Sequence, residues 1–320
     1  MKKAEQPTVE QNDRRNFLKC MTWAGTGVLW TLSSGVLKAA TLDSIAGGAA
    51  VGTQAAAAGL SFVQISDTHI GFHQDANPNV LGTLQQTIDK INALPQRPAF
   101  VVHTGDVTHL SKADQFDTAQ QALKSIKTDG MFFVPGEHDT IDNGDEFFKR
   151  FGKGSSGNGY YSFDYQGMHV IGLVNVLNFK MGEMALLGKE QLEWVEKDLK
   201  HLSSSTPIVV LGHIPLWTVY DKWGWGTDDA PQLYSYLKRF GSVTVLNGHI
   251  HQIQQKIEGN MTFYTARGTS YPQPQPGTAP NPGPMTVPAD QLPSYLGLRQ
   301  VKRVDVKGPL AITDTSLAST

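Results

Sequence analysis

From Leu60 onward, short β-branched or aromatic runs alternate with stretches of helical period, the pattern of an α/β domain. Phe62-Val63-Gln64-Ile65-Ser66 reads as a strand, as do residues 99–103 and 131–134. Residues 81–94 and 112–127, between and after them, space their apolar positions three and four apart and read as helices. The second half continues with a helix over 189–202, a strand over 207–211, a helix over 232–240 and a strand over 243–246. Gln166-Gly167 separates two strand-like runs, at 160–165 and 168–173, and predicts a hairpin. Further hairpins are expected around Gly259-Asn260 and across 298–306. Strands that alternate with helices, joined by hairpins, predict layered mixed sheets rather than one parallel sheet. Long loops are expected over the Gly/Ser-rich residues 152–159 and the proline-rich residues 272–293.

The first sixty residues follow a different pattern. Asp13-Arg14-Arg15-Asn16-Phe17-Leu18-Lys19 precedes a mildly apolar run from Cys20 to Leu37, broken by glycine, serine and threonine. The layout is that of a signal peptide, and the paired arginines resemble the twin-arginine export signal, an address read by a machinery that moves folded proteins. A membrane anchor is the alternative, and the polar interruptions count against it. Small-residue processing sites occur at Lys38-Ala39-Ala40 and at residues 55–58, so no stable membrane span is expected after processing. The expected organisation is signal and flexible linker over 1–57 and one domain over 58–320. The expected location is periplasmic or secreted, in a bacterium.

Composition changes this picture in two respects. The chain has 40% apolar and 18% charged residues, which excludes a disordered or multi-span membrane protein. Removing residues 1–40 takes six Lys/Arg and three Asp/Glu from totals of 27 and 29, leaving a formal charge of −5. An acidic mature protein argues against nucleic acid as a partner. The single cysteine, Cys20, would also be lost, so an oxidising compartment finds no thiol.

The chemistry lies at the predicted strand ends. Asp67-x-His69 follows the first strand, Gly105-Asp106 the second, and Gly136-Glu137-His138-Asp139 the third. Gly212-His213 follows the fourth and Gly248-His249-x-His251 the fifth. Ligands in layered α/β folds bind beyond the carboxyl ends of strands, so the five clusters can converge. A glycine before each of the last four lets the backbone turn and approach a ligand closely. Imidazoles and carboxylates without cysteine suit manganese, iron or zinc and exclude thiolate zinc and iron–sulfur centres.

The order Asp-x-His, Gly-Asp, Gly-Asn-His-Asp/Glu, Gly-His, Gly-His-x-His, matched here over about residues 60–270, resembles that of the calcineurin-like metallophosphoesterases. The resemblance implies an α-β-β-α sandwich and two metal ions, with iron or manganese expected and zinc as a further candidate. By resemblance, Asp67, His69 and His251 hold the first ion, Asp106 bridges, and His213 and His249 hold the second. His138, oriented by Asp139, faces the substrate as proton donor or transition-state stabiliser. The implied reaction is hydrolysis of a phosphomonoester or phosphodiester by a bridging hydroxide in line with the leaving group.

One position departs from the family. Glu137 stands where the family carries a neutral Asn. Two divalent ions, two carboxylates and a hydroxide carry a formal +1, and Glu137 brings this to zero. A trivalent ion would restore the charge; otherwise Glu137 has left the shell or activity is altered. The rival readings are a secreted metal-binding protein without catalysis and a nuclease.

Other residues carry weaker signals. His103 is expected to be a hydrogen-bonded core residue, and His73 and His109, near the metal motifs, either exposed loop residues or part of the pocket lining. Trp217, Tyr220, Trp223 and Trp225 form either a pocket wall or a packed loop. Arg267-Gly268-Thr269-Ser270 offers either a guanidinium and amides to phosphate or a surface turn.

Overall fold

The computed structural model describes residues 28–33, 36–41, 61–177, 179–304 and 309–319. Two compact units divide after Thr53. In the first, β1 (Val28–Ser33) pairs antiparallel with β2 (Val36–Thr41). Arg14 and Arg15, on which the export signal rests, and Cys20 lie outside the described residues. No helix among the described residues is long and apolar enough to cross a membrane.

The second unit opens with β3 (Ser61–Ile65), α1 (Val80–Asn92), β4 (Val101–His103), α2 (Ala113–Leu123), β5 (Met131–Phe133) and α3 (Asp145–Phe151). Next come the hairpin β6 (Tyr161–Tyr165) and β7 (Met168–Gly172), α4 (Lys189–Leu199), β8 (Ile208–Leu211), α5 (Ala230–Leu237) and β9 (Val243–Asn247). A second hairpin, β10 (Gln254–Glu258) and β11 (Met261–Thr265), leads through a long segment to α6 (Leu292–Tyr295), β12 (Gly297–Lys302) and β13 (Ala311–Ser316).

Two mixed sheets result. Their strand orders are β10-β11-β9-β8-β7-β6 and β13-β12-β3-β4-β5. Alternation along each strand decides what each face meets. Phe62, Val102, Val209 and Leu211 point between the sheets into a shared core with Met168, Val170 and Val301. Their neighbours Val63, Ile65 and Val101 face α1, α2 and α3, where Leu84, Ile88, Phe116 and Phe147 cover them. Ile208 and Val210 face α4 and α5, against Leu192, Val195, Leu233 and Leu237. The architecture is therefore the expected α-β-β-α sandwich.

The sheets are also tied by polar groups. Gln64 Nε2 donates to Thr104 Oγ1 and, across the sandwich, to Asn247 O. Arg299, fully buried, pairs with Asp314 and donates to Gln64 Oε1 and Thr265 O.

Three elements depart from the sequence reading. α3 falls in Asp-Glu-Phe-Phe-Lys-Arg-Phe, too short to show a helical period. The last hairpin pairs β12 with β13, not within 298–306. The proline-rich segment is irregular over 272–291, but its last two residues open the short helix α6.

Candidate metal centre

Strands β3, β4 and β5 run parallel in one sheet, and β7, β8 and β9 parallel in the other. The loops leaving β3, β4, β5, β8 and β9 carry all seven residues expected to hold metal, and the structure brings all seven together. In one cluster, His251 Nε2 lies 3.2 Å from Asp67 Oδ1 and 3.3 Å from His69 Nε2. In the other, His213 Nε2 lies 2.8 Å from Glu137 Oε2, and His249 Nδ1 2.9 Å from Glu137 Oε1. Asp106 stands between them: its Oδ2 is 3.3 Å from His69 Nε2 and 3.4 Å from His213 Nε2. Asp67, His69 and His251 form one group able to hold a cation, and Glu137, His213 and His249 another.

The residues fit cations better than they fit one another. Among the described residues, eight buried side-chain polar atoms lack a hydrogen-bond partner, and five belong to this centre: Asp67 Oδ2, Glu137 Oε2, His213 Nε2 and both ring nitrogens of His249. Each such atom costs about 1–3 kcal/mol if left so. His213 Nε2 and Glu137 Oε2 are close, yet neither makes a properly directed hydrogen bond, as expected of atoms aimed at a common point between them. The donor set of imidazole nitrogens and carboxylate oxygens suits first-row transition metals.

Backbone geometry shows how the ligands are held. Eight non-glycine residues among those described have positive φ, and five of them are Asp67, His69, Asp106, His249 and His251. Such left-handed conformations cost on the order of 1 kcal/mol or more each and persist where the surroundings enforce them. Two preceding glycines are required by close approach. A Cβ on Gly136 would collide with Asp106 Oδ1 and its backbone nitrogen, and one on Gly248 with Ser66 Oγ. Asp67 is held in addition by the His249 amide, which donates to its Oδ1 at 3.1 Å.

Remote ring nitrogens fix the imidazoles. His213 Nδ1 donates to Thr104 O at 2.7 Å, and His251 Nδ1 to Tyr271 O at 2.6 Å, leaving Nε2 of each free for a cation. Burial raises the Glu137 carboxyl, but His249 and His213 hold it well below the usual carboxylate range. Burial lowers His138, yet Asp106 and Glu137 outweigh it and raise its pKa above the ordinary value.

The orienting role expected of Asp139 requires correction. His138 Nδ1 hydrogen-bonds to His109 O at 2.8 Å. Asp139 instead accepts from the amides of Val107, Thr108 and Gly136 and from Thr108 Oγ1, lacing the second and third ligand loops together. Burial, then Asp106, pushes its carboxyl up to about 7.

The calcineurin-like phosphoesterase model matches residues 60–253. The chain belongs to this family. A probable glycerophosphodiester phosphodiesterase, GpdQ, from Arcobacter nitrofigilis is 24% identical over 222 residues, 65% of this chain and 78% of its own. A 3′,5′-cyclic-nucleotide phosphodiesterase from Nostoc sp. is 23% identical over 66% of this chain and 79% of its own. Among solved structures, a dimetal phosphatase from Danio rerio has the same fold, with a TM-score of 0.58 at 14% identity, over 80% of this chain and 99% of that one. The chain is thus a metallophosphoesterase, a phosphoric ester hydrolase, and its two ligand clusters imply a binuclear metal centre.

Further features fall into place around the phosphoesterase centre. A cleft of about 230 Å³ opens onto Asp106, Glu137, His138 and His249. Trp223 and Trp225 wall it, whereas Trp217 belongs to the core under α4 and α5. Pro282, Gly283 and Pro284 also line it, so the proline-rich segment does reach the site. Arg267 does not: it lines a neighbouring cavity of about 460 Å³. The residues after it brace the ligand loops, the Thr269 amide donating to Ser66 O and Ser270 Oγ to Asp67 O. His103 is a buried residue bonded to Thr68 Oγ1, as expected, and His73 is exposed.

Two residues of the site were not assigned to it from sequence. His109, for which an exposed loop and the pocket lining were both open, stacks on His138 at 4.8 Å and sets its Nδ1 3.3 Å from His69 Nδ1. Tyr271 places its hydroxyl 3.2 Å from His69 Nε2. Burial, with Asp106, Asp67 and Glu137, raises its pKa well above that of an ordinary phenol. The one available signal for His109 is its place three residues after Asp106; Tyr271 lies outside every motif.

Proposed function

We propose that this chain is an exported, two-metal phosphoesterase that prefers phosphodiesters to phosphomonoesters, with iron or manganese in the centre and zinc as a weaker alternative. The observation that carries the preference is Glu137, whose two oxygens reach His213 and His249 at 2.8 and 2.9 Å. A third carboxylate at the ions reduces their pull on a dianionic monoester more than on a monoanionic diester. The cleft adds to this: no lysine or arginine is among the described residues that line it. Two relatives named for diesters favour the same reading. The absence of a basic cleft counts against a nuclease.

Asp67, His69 and His251 would hold one ion, Glu137, His213 and His249 the other, with Asp106 shared. When bound, the pair supplies Lewis-acid polarisation of the phosphoryl group and a water acidified to near neutral pH. The chain's own residues do the rest. His138, its Nδ1 committed to His109 O, turns Nε2 to the leaving-group oxygen and gives it a proton. Trp223, Trp225 and the irregular segment 282–284 limit water around the ester.

Steady-state kinetics on bis(4-nitrophenyl) phosphate and 4-nitrophenyl phosphate, with metal analysis of the same preparations, test the preference. The parent is expected to favour the diester. Glu137→Asn is expected to raise the monoester-to-diester ratio about tenfold, a fraction of the ~4 kcal/mol that unit charges exert at 4 Å and an effective dielectric of ~20. Selectivity should shift towards divalent ions. An unchanged ratio with unchanged metal would place Glu137 outside the coordination shell.

Export rests on Arg14 and Arg15. Changing both to Lys is expected to strand the protein in the cytoplasm, as read by fractionation. Undiminished accumulation in the periplasm would remove the export reading.

A further inference from the structure

Tyr271 stands beside the first cluster with little freedom to leave it. Its ring packs on Phe72 at 4.4 Å, on His251 at 4.7 Å and on His69 at 4.9 Å. Its backbone is pinned on both sides. Ser270 Oγ donates to Asp67 O, and Tyr271 O accepts from His251 Nδ1. The residue is 3% exposed, and it lines the cleft.

The hydroxyl has one hydrogen-bond partner among the described residues, His69 Nε2 at 3.2 Å. That same nitrogen lies 3.3 Å from Asp106 Oδ2 and 3.3 Å from His251 Nε2, so it is the atom His69 would present to the first ion. An imidazole nitrogen has a single lone pair. Once that pair is given to a cation, it no longer accepts from the phenol. The hydroxyl would then be a buried donor without an acceptor. A substrate in the cleft brings the acceptor that is wanted.

The geometry points to Tyr271 as a further catalytic residue, its Oη–H donating to a non-bridging oxygen of the substrate phosphoryl group. This assignment rests on the two-metal phosphoesterase reading. Charge in phosphoryl transfer is spread over the equatorial oxygens, and a donor fixed in advance there stabilises the transition state without reorganising. Removing one such donor costs on the order of 10²- to 10³-fold in rate.

The test is Tyr271→Phe in the metal-loaded enzyme, which keeps the ring against Phe72 and deletes only the hydroxyl. Metal content and melting temperature are expected to match the parent. The value of kcat/KM should fall about 10²- to 10³-fold on diester and monoester alike. Affinity for orthovanadate, a five-coordinate mimic of the transition state, should fall more than that for inorganic phosphate. Loss of an ion would make Tyr271 a ligand and overturn the proposal. So would kcat/KM within about threefold of the parent with unchanged vanadate affinity. 3-Fluorotyrosine at 271 keeps the shape and strengthens the donor, so tighter vanadate binding is expected and unchanged binding is contrary. Because Tyr271 should not move the diester-to-monoester ratio, the parent's ratio alone decides the diester reading.

Discussion

Asp106→Asn is expected to lose both metal ions and at least about 10³-fold of kcat/KM in one step. The reason lies in the two oxygens of Asp106. Oδ2 faces His69 Nε2 and His213 Nε2 at 3.3 and 3.4 Å, one from each cluster. Oδ1 is already committed, accepting the His138 amide at 2.9 Å. An asparagine must leave its oxygen on that amide, because a backbone N–H needs an acceptor there. Its NH₂ group, which can only donate, then points at both ion positions. Several kcal/mol of Lewis-acid stabilisation disappear, at about 1.4 kcal/mol per tenfold in rate. Elemental analysis and kinetics on one preparation check this. A variant that retains both ions would show that Asp106 is not shared between them.

His138→Ala is expected to keep both ions and lose about 10²- to 10⁴-fold in kcat, the range of a positioned general acid. His138 is fixed from the far side, by His109 O on its Nδ1 and by the His109 ring stacked at 4.8 Å. Neither contact involves an ion position. The residue nevertheless lies close enough to Asp106 and Glu137 to form part of a cation-holding group with them. Metal content therefore discriminates. If the variant loses an ion along with its rate, His138 is a ligand and its role as proton donor falls. The loss should be smaller for esters of acidic phenols, whose leaving groups need less protonation.

The layers were legible because two-faced burial writes itself into the strands. Val63 and Ile65 face one core and Phe62 the other, while Gln64, alternating with them, reaches Thr104 and Asn247. The clusters at Asp67, Asp106, Glu137, His213 and His249 were legible because ligands follow strand ends at fixed, short distances. Less local features were hidden. The left-handed backbone at Asp67, His69, Asp106, His249 and His251 is imposed by contacts between loops, not by residue type. Tyr271 reaches the centre only because Thr269 and Ser270 are tied to Ser66 and Asp67, a pairing across some 200 residues that no local pattern announces. Asp139 sits beside His138 in sequence, and its carboxylate nevertheless turns to the Val107 and Thr108 amides. β13 was missed because its residues are mostly half-buried at a sheet edge, where alternation between apolar and polar positions weakens.

The binuclear centre is tested most directly by elemental analysis of the folded protein purified from its native compartment, normalised to protein concentration. Two transition-metal ions per chain are expected, iron or manganese before zinc, and both should leave together in Asp106→Asn. One ion or none per folded chain, in protein that hydrolyses phosphodiesters, would contradict a shared Asp106 between two clusters.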